Sequence, residues 1–202
     1  ARWRETHPRG QVVVSALTTT GCEVARAALP FAEVRVFPLD LPIVASHVAR
    51  RVSPDLFLFS ENEIWPNGLV ALSRLQVPCV QVSGRLSSFA AATLGRLSPL
   101  SAFVLRRVRG FCVQSEADRG RLLALGVQAD RVVVTGSLKA DARPAPRPDF
   151  VEAFASDGRP VIVIASTHEG EEEAVLAGLL RVQHDAPNTR WILAPRHPER
   201  FA

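Results

Sequence analysis

Short, almost wholly apolar runs recur along this chain with helical patterns between them, and no other feature constrains the fold as tightly. The runs cover residues 12–17, 34–37, 56–60, 79–83, 111–114, 132–135, 161–165 and 191–194, each four to six residues long. Strands that are apolar at nearly every position suit a parallel sheet covered on both faces, because alternation would leave one face wet. The intervening helices mark their own ends. Pro42 and Pro66 fit first-turn positions, Ser115 with Asp118 reads as a capping box, and Gly126 closes the helix holding Leu122, Leu123 and Leu125. The order βαβα predicts a doubly wound α/β architecture. Residues 140–149 break the pattern, with Pro144, Pro146 and Pro148 alternating with Ala145 and Arg147, as a stiff extended linker does. The expected organisation is therefore a first Rossmann-like domain over residues 1–139, a linker over 140–149, and the start of a second such domain over 150–202. The chain has no methionine, and residues 1–7 read as the tail of a helix entered midway, so the first strand is expected upstream and further sequence downstream.

The 47% apolar content supports a buried core. The net charge of +4 hides an imbalance: residues 1–110 hold 13 basic and 7 acidic residues, and residues 111–202 hold 11 and 13. The first half favours anions. Beyond Arg106, Arg107 and Arg109 there is no basic run, and no aromatic residues are interleaved with it, so a phosphorylated or acidic ligand or an anionic membrane surface is expected and nucleic acid is not. Cys22, Cys79 and Cys112 have no paired spacing and read as reduced core residues. No stretch reaches the ~20 apolar residues that span a bilayer. The five histidines show no metal-ligand spacing, and no metal or cofactor is expected.

Among 24 basic residues Lys139 is the one lysine. In a chain that otherwise uses arginine, a lone ammonium points to a task that a planar guanidinium cannot perform, such as meeting a small anionic oxygen in a tight site. It follows an apolar strand and Thr135, Gly136 and Ser137, where open α/β sheets place ligands. The densest polar cluster, Ser60-Glu61-Asn62-Glu63-Ile64-Trp65-Pro66-Asn67, lies at another such strand end. Either glutamate could simply cap the following helix; Glu61, nearer the strand, is the better candidate for chemistry. Ser166-Thr167-His168-Glu169-Gly170 follows a strand and reads as opening a helix, either as an anion site or as a capping box of Ser166 with Glu169. Pro195-Arg196-His197-Pro198 fixes a loop that could aim Arg196 at a phosphate or base, and Ser83-Gly84-Arg85-Leu86-Ser87 is a weaker motif of the same kind.

Taken together, residues 61–67, 83–87, 135–141, 166–172 and 195–201 resemble, in order and spacing, the motifs of the 3-deoxy-D-manno-octulosonic acid (Kdo) transferases of lipopolysaccharide synthesis. The resemblance implies a GT-B type glycosyltransferase with two Rossmann-like domains facing each other across a cleft. It implies transfer of Kdo from CMP-Kdo to a lipid A precursor (lipid IVA), inverting and metal-independent, at the cytoplasmic face of the bacterial inner membrane. By the same resemblance Glu61 and Lys139 occupy transition-state-stabilising positions, Pro195 and Arg196 belong to the CMP pocket, the general base precedes Ala1, and the other nucleotide contacts follow Ala202. The 202 residues alone are expected to be inactive. Asn62, Ala140 and Thr19 depart from the threonine, phenylalanine and proline usual at those positions. The alternatives are another GT-B enzyme, either a nucleotide-sugar epimerase or a UDP-sugar glycosyltransferase, and a non-catalytic nucleotide-binding protein.

Overall fold

A computed structural model of the chain describes residues 5–141, 151, 152, 154 and 157–197. Each apolar run becomes a strand: β1 (Val13–Ala16), β2 (Glu33–Val36), β3 (Phe57–Ser60), β4 (Cys79–Gly84), β5 (Val108–Val113), β6 (Val132–Val134), β7 (Val161–Thr167) and β8 (Arg190–Pro195). Between them run α1 (Thr19–Ala28), α2 (Pro42–Val52), α3 (Pro66–Arg74), α4 (Ser88–Arg96), α5 (Ser98–Leu105), α6 (Glu116–Ala124) and α7 (Glu171–Asp185). Every strand pair is parallel. The chain divides into two compact units, Ala1–Ala142 and Arg143–Ala202.

In the first unit β3, β4, β5 and β6 form one sheet in that order, and β1 pairs with β2 in a separate set. Among the described residues no ladder joins β1 or β2 to β3. The two sets are tied at their carboxyl ends: the Phe37 and Trp65 rings lie 4.9 Å apart, and Asp40 reaches Asn67 and Gly68. The core lies on β4 and β5, which have a strand on each side, and includes Phe59, Leu69, Cys79, Leu105, Val108, Phe111, Val113 and Leu122. Full burial of a side chain such as Leu69 or Phe111 stabilises the fold by about 1.5–3 kcal/mol. All three cysteines are free. Burial pushes the Cys79 thiol up to about 11, so it packs as a small apolar group rather than reacting as a thiolate.

Pro42 and Pro66 take the first-turn positions of α2 and α3. Gly126 follows α6 at φ +83°, with its amide and that of Val127 returning to Leu123 and Leu122, a glycine-terminated helix end. Only half of the Ser115–Asp118 box forms. Ser115 accepts from the Asp118 amide, while the Asp118 carboxylate accepts from the Ser115 hydroxyl, from the Leu86 amide at 2.9 Å and from Arg121 on the same helix, rather than from the Ser115 amide. A buried carboxylate is satisfied by several donors at once.

In the second unit β7 pairs with β8, and α7 between them in sequence buries Leu179. Here the expected helix start moves. The helix opens at Glu171 behind Gly170 (φ +87°), with no side-chain cap, and not at Ser166, which still belongs to β7 at φ +64°. The capping box of Ser166 with Glu169 does not form; Glu171 accepts from the His168 amide instead. Residues 142–150, which carry the expected proline linker, lie outside the described residues, as do Pro198 and the chain after it. No described helix is long and apolar enough alone to cross a membrane; α4 and α5 reach that length only as a pair bent by 112°.

Candidate functional site

Glu61 and Lys139 come from opposite edges of the four-stranded sheet, and yet their side chains meet. Glu61 follows β3 and Lys139 lies beyond β6, with β4 and β5 between. At ~4.8 Å per strand that is a separation of about 14 Å. The gap closes because the segment after β6 doubles back over the strand ends. Gly136 takes φ +81°, and a 3-10 turn, Leu138–Asp141, carries the lysine. The Leu138 amide reaches the Ser83 hydroxyl at the end of β4. Lys139 Nζ then stands 2.6 Å from Glu61 Oε1, the lysine side chain 81% exposed and the glutamate 46%.

The hydrogen bond from Lys139, and then its charge, hold the Glu61 carboxyl below its ordinary value against a smaller opposing effect of burial; the Arg85 charge adds to the lowering. A carboxylate held ionised in this way is a poor proton acceptor near neutrality, since a general base works best with a pKa near the operating pH. The pair is instead fitted to meet separating charge. A carboxylate faces a cationic centre, and an ammonium beside it faces an anionic leaving group.

The main chain at this edge is held in costly conformations. Glu61 (φ +53°) and Ser83 (φ +51°) are non-glycine residues in the left-handed region at the ends of neighbouring strands, each at about 1–2 kcal/mol. Such conformations persist only where the surroundings over-determine them, and they gather at functional sites. Here the surroundings are polar and buried. The Gln81 amide, on β4 and 4% exposed, donates to the Glu61 carbonyl at 2.6 Å, and the Glu61 amide donates to Val82. Gln114 donates to the Ser83 carbonyl at 2.9 Å.

Of the other residues singled out in the sequence, Glu63 is exposed and lies ahead of α3, whose first turn holds no acid. Neither glutamate caps that helix. Asp40 does so from 27 residues away, accepting from the Asn67 and Gly68 amides at 3.0 and 2.7 Å. In the second unit Pro195 ends β8, Arg196 is exposed with its amide donating to Thr167, and the His168 and His197 rings lie 6.2 Å apart. Arg196 and Pro195 thus belong to the paired ends of β7 and β8, in a different unit from Glu61 and Lys139. Among the described residues no group of three His, Cys, Asp or Glu could hold a metal.

Sequence reading missed Gln81, Gln114 and Asp40. A lone amide inside the apolar run Cys79-Val80-Gln81-Val82 was a usable signal for the first, since a polar group there is costly unless it has a partner. Asp40 and Gln114 carry no local signal, because their partners lie 27 and 31 residues away.

Parallel strands with charged side chains gathered at their carboxyl ends, in two α/β units, are the build of the GT-B class. The similarity to solved structures agrees: the UDP-N-acetylglucosamine 2-epimerase from Rickettsia bellii superposes with a TM-score of 0.58 at 13% identity, covering 97% of this chain and 57% of that one. Acinetobacter baumannii MurG gives 0.51 at 12% identity, covering 98% and 61%. Sequence similarity carries the assignment further. The profile of the 3-deoxy-D-manno-octulosonic-acid transferase (kdotransferase) family matches residues 1–142, and the chain belongs to that family. It is 28% identical to the 3-deoxy-D-manno-octulosonic acid transferase of Haemophilus influenzae, with 98% of this chain and 48% of that protein covered. Against the enzyme of the same name from Bordetella pertussis it is 36% identical, with 81% and 39% covered. The chain spans about half the length of the curated relatives it matches.

Proposed function

We propose that these residues are part of a glycosyltransferase that moves Kdo from CMP-Kdo to a lipid A precursor with inversion at the anomeric carbon, and that Glu61 and Lys139 stabilise the transition state. The observation that carries the reading is the 2.6 Å contact between two side chains whose strands lie at opposite edges of one sheet. Bringing them together requires two left-handed residues and a doubled-back turn, an expenditure that an exposed ion pair, worth about 0–1 kcal/mol, does not repay in stability. In this reading the Glu61 carboxylate faces the positive charge that develops at the anomeric carbon as CMP leaves. The Lys139 ammonium faces the departing phosphate oxygens. Pro195 and Arg196, after β8, contribute to CMP recognition. The proton of the acceptor hydroxyl goes to a base outside residues 1–202.

The acceptor is a lipid, and α4 with α5 supplies a surface suited to an anionic membrane at the cytoplasmic face. Phe89, Leu97, Leu100 and Phe103 are exposed, Arg96 and Arg106 flank them, and the Arg107 guanidinium lies 3.4 Å from the centre of the Phe103 ring. Apolar side chains amid cations insert into the headgroup boundary while the charges meet lipid phosphates.

The test uses the longer chain that includes residues 1–202, incubated with lipid IVA and either CMP-Kdo or a UDP-sugar. Release of CMP with formation of a Kdo-lipid product is expected. Turnover of UDP-sugars in preference to CMP-Kdo would overturn the assignment.

A further inference from the structure

We propose that the end of β4, Gln81 to Gly84, is a positioning device that holds the Glu61 backbone through the Gln81 amide and the Lys139 turn through the Ser83 hydroxyl, so that one short segment sets the separation of the two charges. The inference rests on the reading of Glu61 and Lys139 given above and names what holds them in place. The sheet cannot do this alone, because β3 and β6 share no ladder. Between Gln81 and Gly84 the pairing with β5 slips: three steps along β4 match two along β5, from Phe111 to Val113. The extra residue makes a bulge, a device that re-aims side chains beside functional sites.

Three residues of the bulge, Gln81, Ser83 and Gly84, have distinct roles. Gln81 is buried at a position where an apolar residue would pack without a polar group to satisfy, and its Nε2 donates to the Glu61 carbonyl at 2.6 Å. Its side chain needs Gly84: a Cβ there would stand 2.7 Å from Gln81 Oε1, closer than the atoms can approach. Ser83 is 6% exposed; its hydroxyl accepts from the Leu138 amide at 3.3 Å and from Gln114 Nε2 at 3.3 Å. Leu138 precedes the lysine directly, and the Lys139 amide in turn donates to the Ser137 hydroxyl. Two groups 78 positions apart in sequence are thus suspended from residues two positions apart on one strand.

The test follows the Glu61 carboxyl by NMR titration in the 202-residue chain, comparing Gln81→Met, which keeps the side-chain length and removes the donor, with Ser83→Ala and with Leu72→Ala. The last is a destabilising control, since Leu72 is a buried core residue on α3 and not part of the bulge. The expected result is a Glu61 midpoint raised by about half a pH unit or more in the first two variants and unmoved in the control. A midpoint that stays put in both, or that moves equally in the control, overturns the proposal. Should Gln81→Met not fold, Ser83→Ala decides alone. In the longer enzyme, Gln81→Met is expected to lower kcat by on the order of tenfold or more with the CMP-Kdo KM unchanged; a raised KM at unchanged kcat counts against it. Absence of Kdo transfer in the unsubstituted enzyme would sink the functional reading and leave the titration result standing.

Discussion

Replacing Lys139 by arginine keeps the charge and changes its shape, which makes it the sharpest probe of why this chain carries a lysine here. The effect on folding is small. With the lysine side chain 81% exposed and the glutamate 46%, solvent screens the pair to about 0–1 kcal/mol. Even complete loss would shift the melting temperature by fewer than about 4 °C in a chain of this size. The effect on turnover is expected to be far larger. At 2.6 Å from Glu61 Oε1 the ammonium presents a compact point charge, whereas the longer, planar and forked guanidinium would set its charge and donors in different places. Moving one preorganised donor out of place at a reacting centre costs up to the order of 10²–10³ in rate, about 2.7–4 kcal/mol, which is the loss found when such a donor is removed. The assay is CMP release by the longer chain, with thermal melts on the same samples. Turnover within about threefold of the unsubstituted enzyme, which corresponds to under 1 kcal/mol, would refute the reasoning and return Lys139 to an ordinary surface cation.

Asp40→Ala removes the acceptor for two free amides at the start of α3 and is expected to destabilise the first unit by about 1–2 kcal/mol in urea melts; an unchanged midpoint would show that the contact is dispensable. The lowered Glu61 pKa fixes a sign for acid stability: a carboxyl depressed in the folded state contributes stability above its unfolded pKa of about 4.3 and loses it as pH falls through the folded value. Lys139→Met should therefore narrow its stability deficit to nothing at low pH, with at most about 1 kcal/mol at stake near neutrality; a deficit that widens in acid would contradict the sign. Vesicles containing an anionic phospholipid are expected to bind the chain in sedimentation assays, with binding cut by about a hundredfold or more by Phe89→Asp with Phe103→Asp, since each buried apolar side chain contributes about 1.5–3 kcal/mol. Binding that ignores both substitutions would remove α4 and α5 as the membrane surface.

The strands were readable because a parallel sheet covered on both faces demands uninterrupted apolar runs, and the prolines of α2 and α3 because a fixed φ is welcome at a helix start. Lys139 and Glu61 stood out by composition and by position after a strand. Their direct contact did not, since it depends on a turn that crosses two strand ends. The start of α7 was misplaced because Ser166 with Glu169 imitates a capping box, whereas Gly170 allows the chain to reach the helix through a left-handed step. The Asp118 carboxylate, besides its local bonds to Ser115 and Arg121, takes the Leu86 amide from 32 residues away. The long-range partner of Asp118 has no local signal, and local rules are what a single sequence displays.

Lys139 stands three residues before Ala142, where the first unit ends, so that unit closes on the very turn that bears the ammonium. The Leu138 amide, held by the Ser83 hydroxyl, therefore pins the last described turn of the first unit to β4 together with the lysine.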